Sequence, residues 1–187
     1  MQRRKILLVP VALLILASLA CNFGLKSVKT PAPPPPVTTQ SVEELQKNLQ
    51  QAYQEAQNSG QVNITVTESQ LTSIVAFELE KQGIDSVKDP QVYLRDGQVQ
   101  VYGTLEGNVS ATAKIVFNVD VNAAGKPEFH AVSANVGPLP IPEDILSQLE
   151  ANLNQAFADQ IESMAPNTHI DKITIADGEM TITGHTK

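Results

Sequence analysis

Few side chains in this chain are of a kind that performs covalent or metal chemistry. There are three histidines and one cysteine among 187 residues. His130, His169 and His185 stand apart, and no two have the spacing that places paired imidazoles on one metal ion. There is no Gly-rich phosphate loop and no nucleophile elbow. His130 alternates in phase with Val132 and Ala134, which predicts a partly buried strand position rather than a general base. Asp89, Asp96 and Asp177 fall at predicted turns, where an Asp is explained by bonding to its own backbone. With no Trp and 4% aromatic residues, stacking on sugars or unpaired bases is disfavoured. The expectation is a protein that is not an enzyme, with no catalytic residues, no metal and no cofactor.

The cysteine has a more specific setting. Arg3, Arg4 and Lys5 precede the apolar run "ILLVPVALLILASLA", Ile6 to Ala20, which has the form of a secretory signal. "LASLAC" then places Cys21 directly after small Ala20. This resembles a bacterial lipobox, although Leu more often stands at the position of Ser18. The resemblance implies cleavage before Cys21, acylation of its thiol, and an extracytoplasmic protein anchored to a bacterial membrane. An ordinary signal with a chance Cys, or an uncleaved anchor, are the other readings. A bacterial setting also removes the meaning of the acceptor-like "NIT" at Asn63 and "NVS" at Asn108.

Loss of residues 1–20 removes three of 13 basic residues and none of the 20 acids, so the formal charge falls from −7 to 10 − 20 = −10. That excess argues against nucleic acid as a partner and against electrostatic docking on anionic lipid. A lone Cys also allows no internal disulfide, so the fold must rest on its own core. "PAPPPPV" within Asn22 to Gln40 favours polyproline II, so residues 21–40 read as the acylated Cys and a semi-rigid tether. Residues 41–187 read as a single folded domain.

The elements that would position any site follow from periodicity. "SVEE" predicts a helix capped by Ser41, with a thin apolar face of Val42, Leu45, Leu49, Tyr53 and Ala56. Val62, Ile64 and Val66 alternate as a strand. "TESQ" is a second capping box, opening a helix from Thr67 to about Gln82, stopped by Gly83. "VYLRDGQVQVYG" (Val92 to Gly103) predicts a hairpin on an Asp-Gly turn, and "ITIADGEMTITG" (Ile173 to Gly184) repeats its pattern. Between them lies a long strand, Val109 to Val121, dry on one face and wet on the other, with only Val116 breaking the pattern. Phe129 to Val136 follows as its partner strand. Pro142 then opens a helix to about Met164, whose stripe is Ile145, Leu146, Leu149, Leu153, Ala156, Phe157, Ile161 and Met164. The predicted class is α+β, a curved antiparallel sheet packed against two main helices.

Sheet and helices can simply cover one another. Alternatively they close incompletely and leave an apolar groove. "TESQLTSIVAFEL", "VYLRDGQVQVYGTLEG", "SANVGPLPIPEDIL" and "ITIADGEMTITG" together resemble the extracytoplasmic YpmS-like and LmeA-like families, which are similar to half of a TULIP-type lipid-binding module. The resemblance spans about Val62 to Gly184 and implies a lipid or other apolar ligand; it carries no catalytic residue. The predicted lining is Leu71, Val75, Ile115, Phe117, Val119, Leu149, Leu153 and Phe157. The contrasting expectation is a structural or adaptor lipoprotein whose outer surface binds another cell-envelope protein.

Overall fold

The computed structural model describes residues 34–107, 110–164, 167–176 and 178–186. The leader, Cys21, the first part of the tether, Asn108, Val109 and Asp177 lie outside them. The fold is α+β as expected, with three helices and two antiparallel sheets. In chain order the elements are α1 (Thr39–Ser59), β1 (Gln61–Thr67), α2 (Glu68–Lys81), β2 (Val87–Arg95), β3 (Gln98–Leu105), β4 (Ala111–Val121), β5 (Pro127–Val136), β6 (Leu139–Pro140), α3 (Glu143–Met164), β7 (Thr168–Ala176) and β8 (Glu179–Thr186). The large sheet has the order β2-β3-β4-β5-β6 and the small sheet β1-β8-β7.

Helix α1 starts three residues earlier than its sequence suggests. Thr38 is the N-cap, and its hydroxyl accepts from the Ser41 N–H at 3.1 Å. Ser41 is instead a buried contact, with its hydroxyl 2.9 Å from that of Ser69 on α2. The Pro36 carbonyl accepts from the Ser69 hydroxyl, and the Thr38 N–H donates to Ser73. So the end of the Pro-rich segment, expected as semi-rigid tether, lies bonded along α2. Helix α1 docks on β1 and α2 through Leu45, Ala52 and Ala56. Helix α2 has the predicted reciprocal capping box between Thr67 and Gln70, a feature that stabilises a helix start by about 1 kcal/mol.

The repeated hairpin has a geometrical meaning. Asp96 and Gly97 both have positive φ, as a type I′ turn requires. Each closing glycine then faces a β-bulge in the partner strand. In β2 the register shifts between Lys88 and Gln91, beside Gly103; in β7 it shifts between Ile170 and Lys172, opposite Gly184. A side chain at Gly184 would collide with the His169 backbone, and one at Gly103 would press on Val87. Asp89 therefore sits in a bulge with φ 48°, not in a turn. Such bulges bend and twist a strand, so the repeat writes curvature twice, once into each sheet.

The two sheets meet at one end. The Gly178 N–H donates to the Leu94 carbonyl at 3.0 Å, and the Ile170 N–H donates to the Gly125 carbonyl at 3.0 Å. Strand β7 thus crosses from the β4–β5 turn to β2 and covers that end of the large sheet. The core lies beneath it: Leu45, Val66, Val92, Leu94, Val99, Phe117, Val119, Phe129 and Met180. Phe117 and Phe129 meet edge to face at 6.2 Å. The opposite face holds Tyr93, Tyr102 and Val116, all buried, with the two tyrosines edge to face at 5.5 Å. Val116 breaks the alternation of β4 because it belongs to this second patch.

Candidate functional site

Helices α2 and α3 flank opposite edges of the large sheet by the same device. On α2, the Thr72 hydroxyl accepts from the Val92 N–H at 2.9 Å and donates to its carbonyl at 3.4 Å. One turn earlier the Glu68 carboxylate accepts from the Leu94 N–H at 2.7 Å and pairs with Arg95. On α3, Asn154 accepts from the Phe129 N–H at 2.7 Å and donates to its carbonyl at 3.1 Å, and Glu150 one turn earlier accepts from the Ala131 N–H. In each pair the helix advances four residues while the strand steps back two. Edge strands with open backbone groups invite pairing with other chains, and here helix side chains occupy them.

This placement holds the helices at the margins and leaves β3 and β4 between them. The register aligns Val92, Val101, Ile115 and Ala134 across the inner face, followed by Gly103, Ala113 and Val136. Leu105 and Ala111 pair in the outermost row. The floor therefore steps from Phe117, Val119 and Phe129, buried under the small sheet, to Ala111 and Ala113 at the far end, where Val87 covers Gly103. There the lining is half-exposed: Val101, Gly103's neighbours Ala113 and Ile115, Ala111 and Val136. The walls are Leu71, Ile74 and Val75 of α2 and Leu149 and Leu153 of α3, each packed on the core while partly open to solvent. The result is an apolar face flanked by α2 and α3, covered by β7 at one end and half-exposed at the other.

All eight residues predicted as lining come to this inner face or its rim. Phe117 and Val119 are buried in the floor of the closed end; Leu71, Val75, Ile115, Leu149 and Leu153 are half-buried in walls and floor. Phe157 lies at the rim, 39% exposed, with its ring 4.6 Å from that of Phe129. Ala113 shares the dry face that the alternation of the long strand predicts, and the cross-strand register adds Gly103 beside it and Ala134 in the neighbouring row. A separate shallow cleft of about 200 Å³ between α1 and β1 is lined mostly by polar side chains, including Asn48, Gln51, Glu55 and Asn63.

The histidines depart from expectation. His130 is exposed, 3.8 Å from Glu128, because the bulge at Val132 breaks the alternation that seemed to carry it inward. His169 lies in β7 directly opposite His185, with ring centroids 5.1 Å apart, so these two do not stand apart. His185 Nδ1 lies 3.0 Å from the Asp171 carboxylate. The His169 ring covers Gly125, where no side chain would fit. His169 Nδ1 and the Thr168 hydroxyl are buried without a hydrogen-bond partner. Among the described residues no group of three or more His, Cys, Asp or Glu is arranged to hold a metal ion.

No family model matches the sequence, and no curated protein is significantly similar to it.

Proposed function

We propose that the chain is a membrane-anchored extracytoplasmic lipoprotein that binds a lipid or another apolar ligand in the trough between the large sheet and helices α2 and α3. The observation that carries this reading is the half-exposed apolar end of the inner face, where Val101, Ala111, Ala113, Ile115 and Val136 stand beside equally half-exposed aliphatic side chains of α2 and α3. Sheets and helices that only cover one another bring large side chains together and bury them. Here Ala111 and Ala113 stand half-exposed between two helices that keep to the sheet's edges. Apolar contact would hold a ligand at about 25 cal/mol per Å² removed from water. Cys21, acylated, would supply the membrane anchor; among the described residues no helix is long and apolar enough to cross a membrane.

Native mass spectrometry of the chain from Asn22 onward, followed by solvent extraction, tests this reading. A phospholipid or fatty acid bound near one per chain is the expected result. A ligand-free mass that stays unchanged after incubation with lipid vesicles would overturn it.

A further inference from the structure

Two histidines that are distant in the sequence face each other across the small sheet. The register runs Gln61, His185, His169 over β1, β8 and β7, on the face opposite buried Val62 and Ile170. The ring of His169 fills the space that a Gly125 side chain would take, so it packs on the turn backbone. Its Nδ1 is buried there without a partner, which leaves Nε2 as the open nitrogen of that ring. On His185, Nδ1 lies 3.0 Å from the Asp171 carboxylate. A carboxylate only accepts, so Nδ1 carries the proton and the Nε2 lone pair is free. Asp171 is the residue that the β7 bulge leaves without a cross-strand partner.

We infer that His169 and His185 bind one divalent transition metal ion, zinc first among them, through their Nε2 atoms. The site lies on the outer face of the small sheet and is independent of the apolar face of the large one. Three observations carry it. The first is separation. Two imidazoles on one tetrahedral ion, each nitrogen about 2.0–2.1 Å from the metal, hold their ring centroids roughly 5 Å apart. The rings of His169 and His185 stand at 5.1 Å. The second is Asp171, which holds His185 as an outer-shell carboxylate orients an imidazole on a metal. The third is the orphaned Nδ1 of His169. A buried ring nitrogen without a partner costs stability, and a ligand role for Nε2 gives that cost a purpose. Neutral imidazole suits zinc and its neighbours, and the net −10 of the chain after Ala20 attracts cations. Among the described residues no third protein ligand is in place, so water completes the coordination. The bound ion clips β7 to β8 beside the bond from the Ile170 N–H to the Gly125 carbonyl.

The test is calorimetric titration of the chain from residue 21, with Cys21→Ser and no histidine tag, with zinc chloride in a non-coordinating buffer. One ion per chain at micromolar affinity is the expected result. His185→Gln should weaken binding at least about tenfold, since even outer-shell partners are worth roughly 10–100-fold. Asp171→Asn, which acts only through His185, should weaken it by less. Both positions are exposed, so circular dichroism should show the fold intact. His169→Gln should match His185→Gln; if losing the ring over Gly125 unfolds it, His185→Gln decides the case. His130→Gln, beside Glu128 on the large sheet, should leave binding unchanged. Zinc should also raise the thermal midpoint of the wild type and not that of His185→Gln, because only the folded pair chelates. No heat with millimolar zinc, or an isotherm that His185→Gln leaves as it was, overturns the proposal. So does half an ion per chain with a zinc-dependent dimer in sedimentation, since the ion would then be held between two copies.

Discussion

Thr72 shows how one side chain can hold a whole element in place. It is wholly buried, and its hydroxyl serves both the N–H and the carbonyl of Val92. Thr72→Val keeps the shape and strands two buried backbone groups, which should cost about 1–3 kcal/mol. A urea titration should show a lower midpoint at an unchanged m-value. Tyr93 gives a pH dependence. Burial pushes its phenol above the ordinary value of 10.0, the Glu68 carboxylate and Tyr102 push the same way, and Arg95 opposes them. The folded state then holds this proton more tightly than the unfolded chain. Its contribution is complete below pH 10 and is lost as pH rises through the folded value. Stability measured by urea between pH 9 and 11 should fall in the wild type and fall less steeply in Tyr93→Phe.

At the scale of elements, the pairing of helix with sheet edge is the organising relation. The spacing Glu68–Thr72 on α2 recurs as Glu150–Asn154 on α3, each closing one edge. Asn154→Leu would leave the Phe129 N–H and carbonyl open at an edge. The expected result is destabilisation of about 1–3 kcal/mol and concentration-dependent association detectable by light scattering. The elements themselves were largely legible. The Thr67 capping box, the Asp96-Gly97 turn and helix α3 appear where periodicity and turn chemistry place them, although of the α3 stripe Leu149 and Leu153 pack on the core while Ile145 and Phe157 stay exposed. The edge-capping roles were not legible. A Thr or Asn on a helix reads as a polar surface residue until a strand with open backbone groups lies beside it.

For the whole molecule, the two sheets divide the labour. The small sheet seals one end over Phe117, Val119 and Phe129, and the other end leaves Ala111 and Ala113 half-exposed. Filling that end from below separates ligand binding from folding. Ala113→Phe should reduce copurifying lipid at least tenfold in native mass spectra. The urea midpoint should move little, because Ala113 is half-exposed and a ring there displaces solvent or ligand rather than core.

The order of elements, the α+β class and the apolar residues that share one face were determined by the sequence alone, because alternation and helical spacing are local properties of the chain. The division of the strands into two sheets was decided only by the fold, since β1 pairs with β8 across more than a hundred residues. So was the pairing of His169 with His185 and the exposure of His130, each of which depends on a β-bulge that shifts a register by one residue. The half-exposed end of the inner face belongs to the same class. The alternation of Ala111, Ala113 and Ile115 is visible in the sequence, but they stay half-exposed because side-chain hydrogen bonds hold the helices at the sheet's edges.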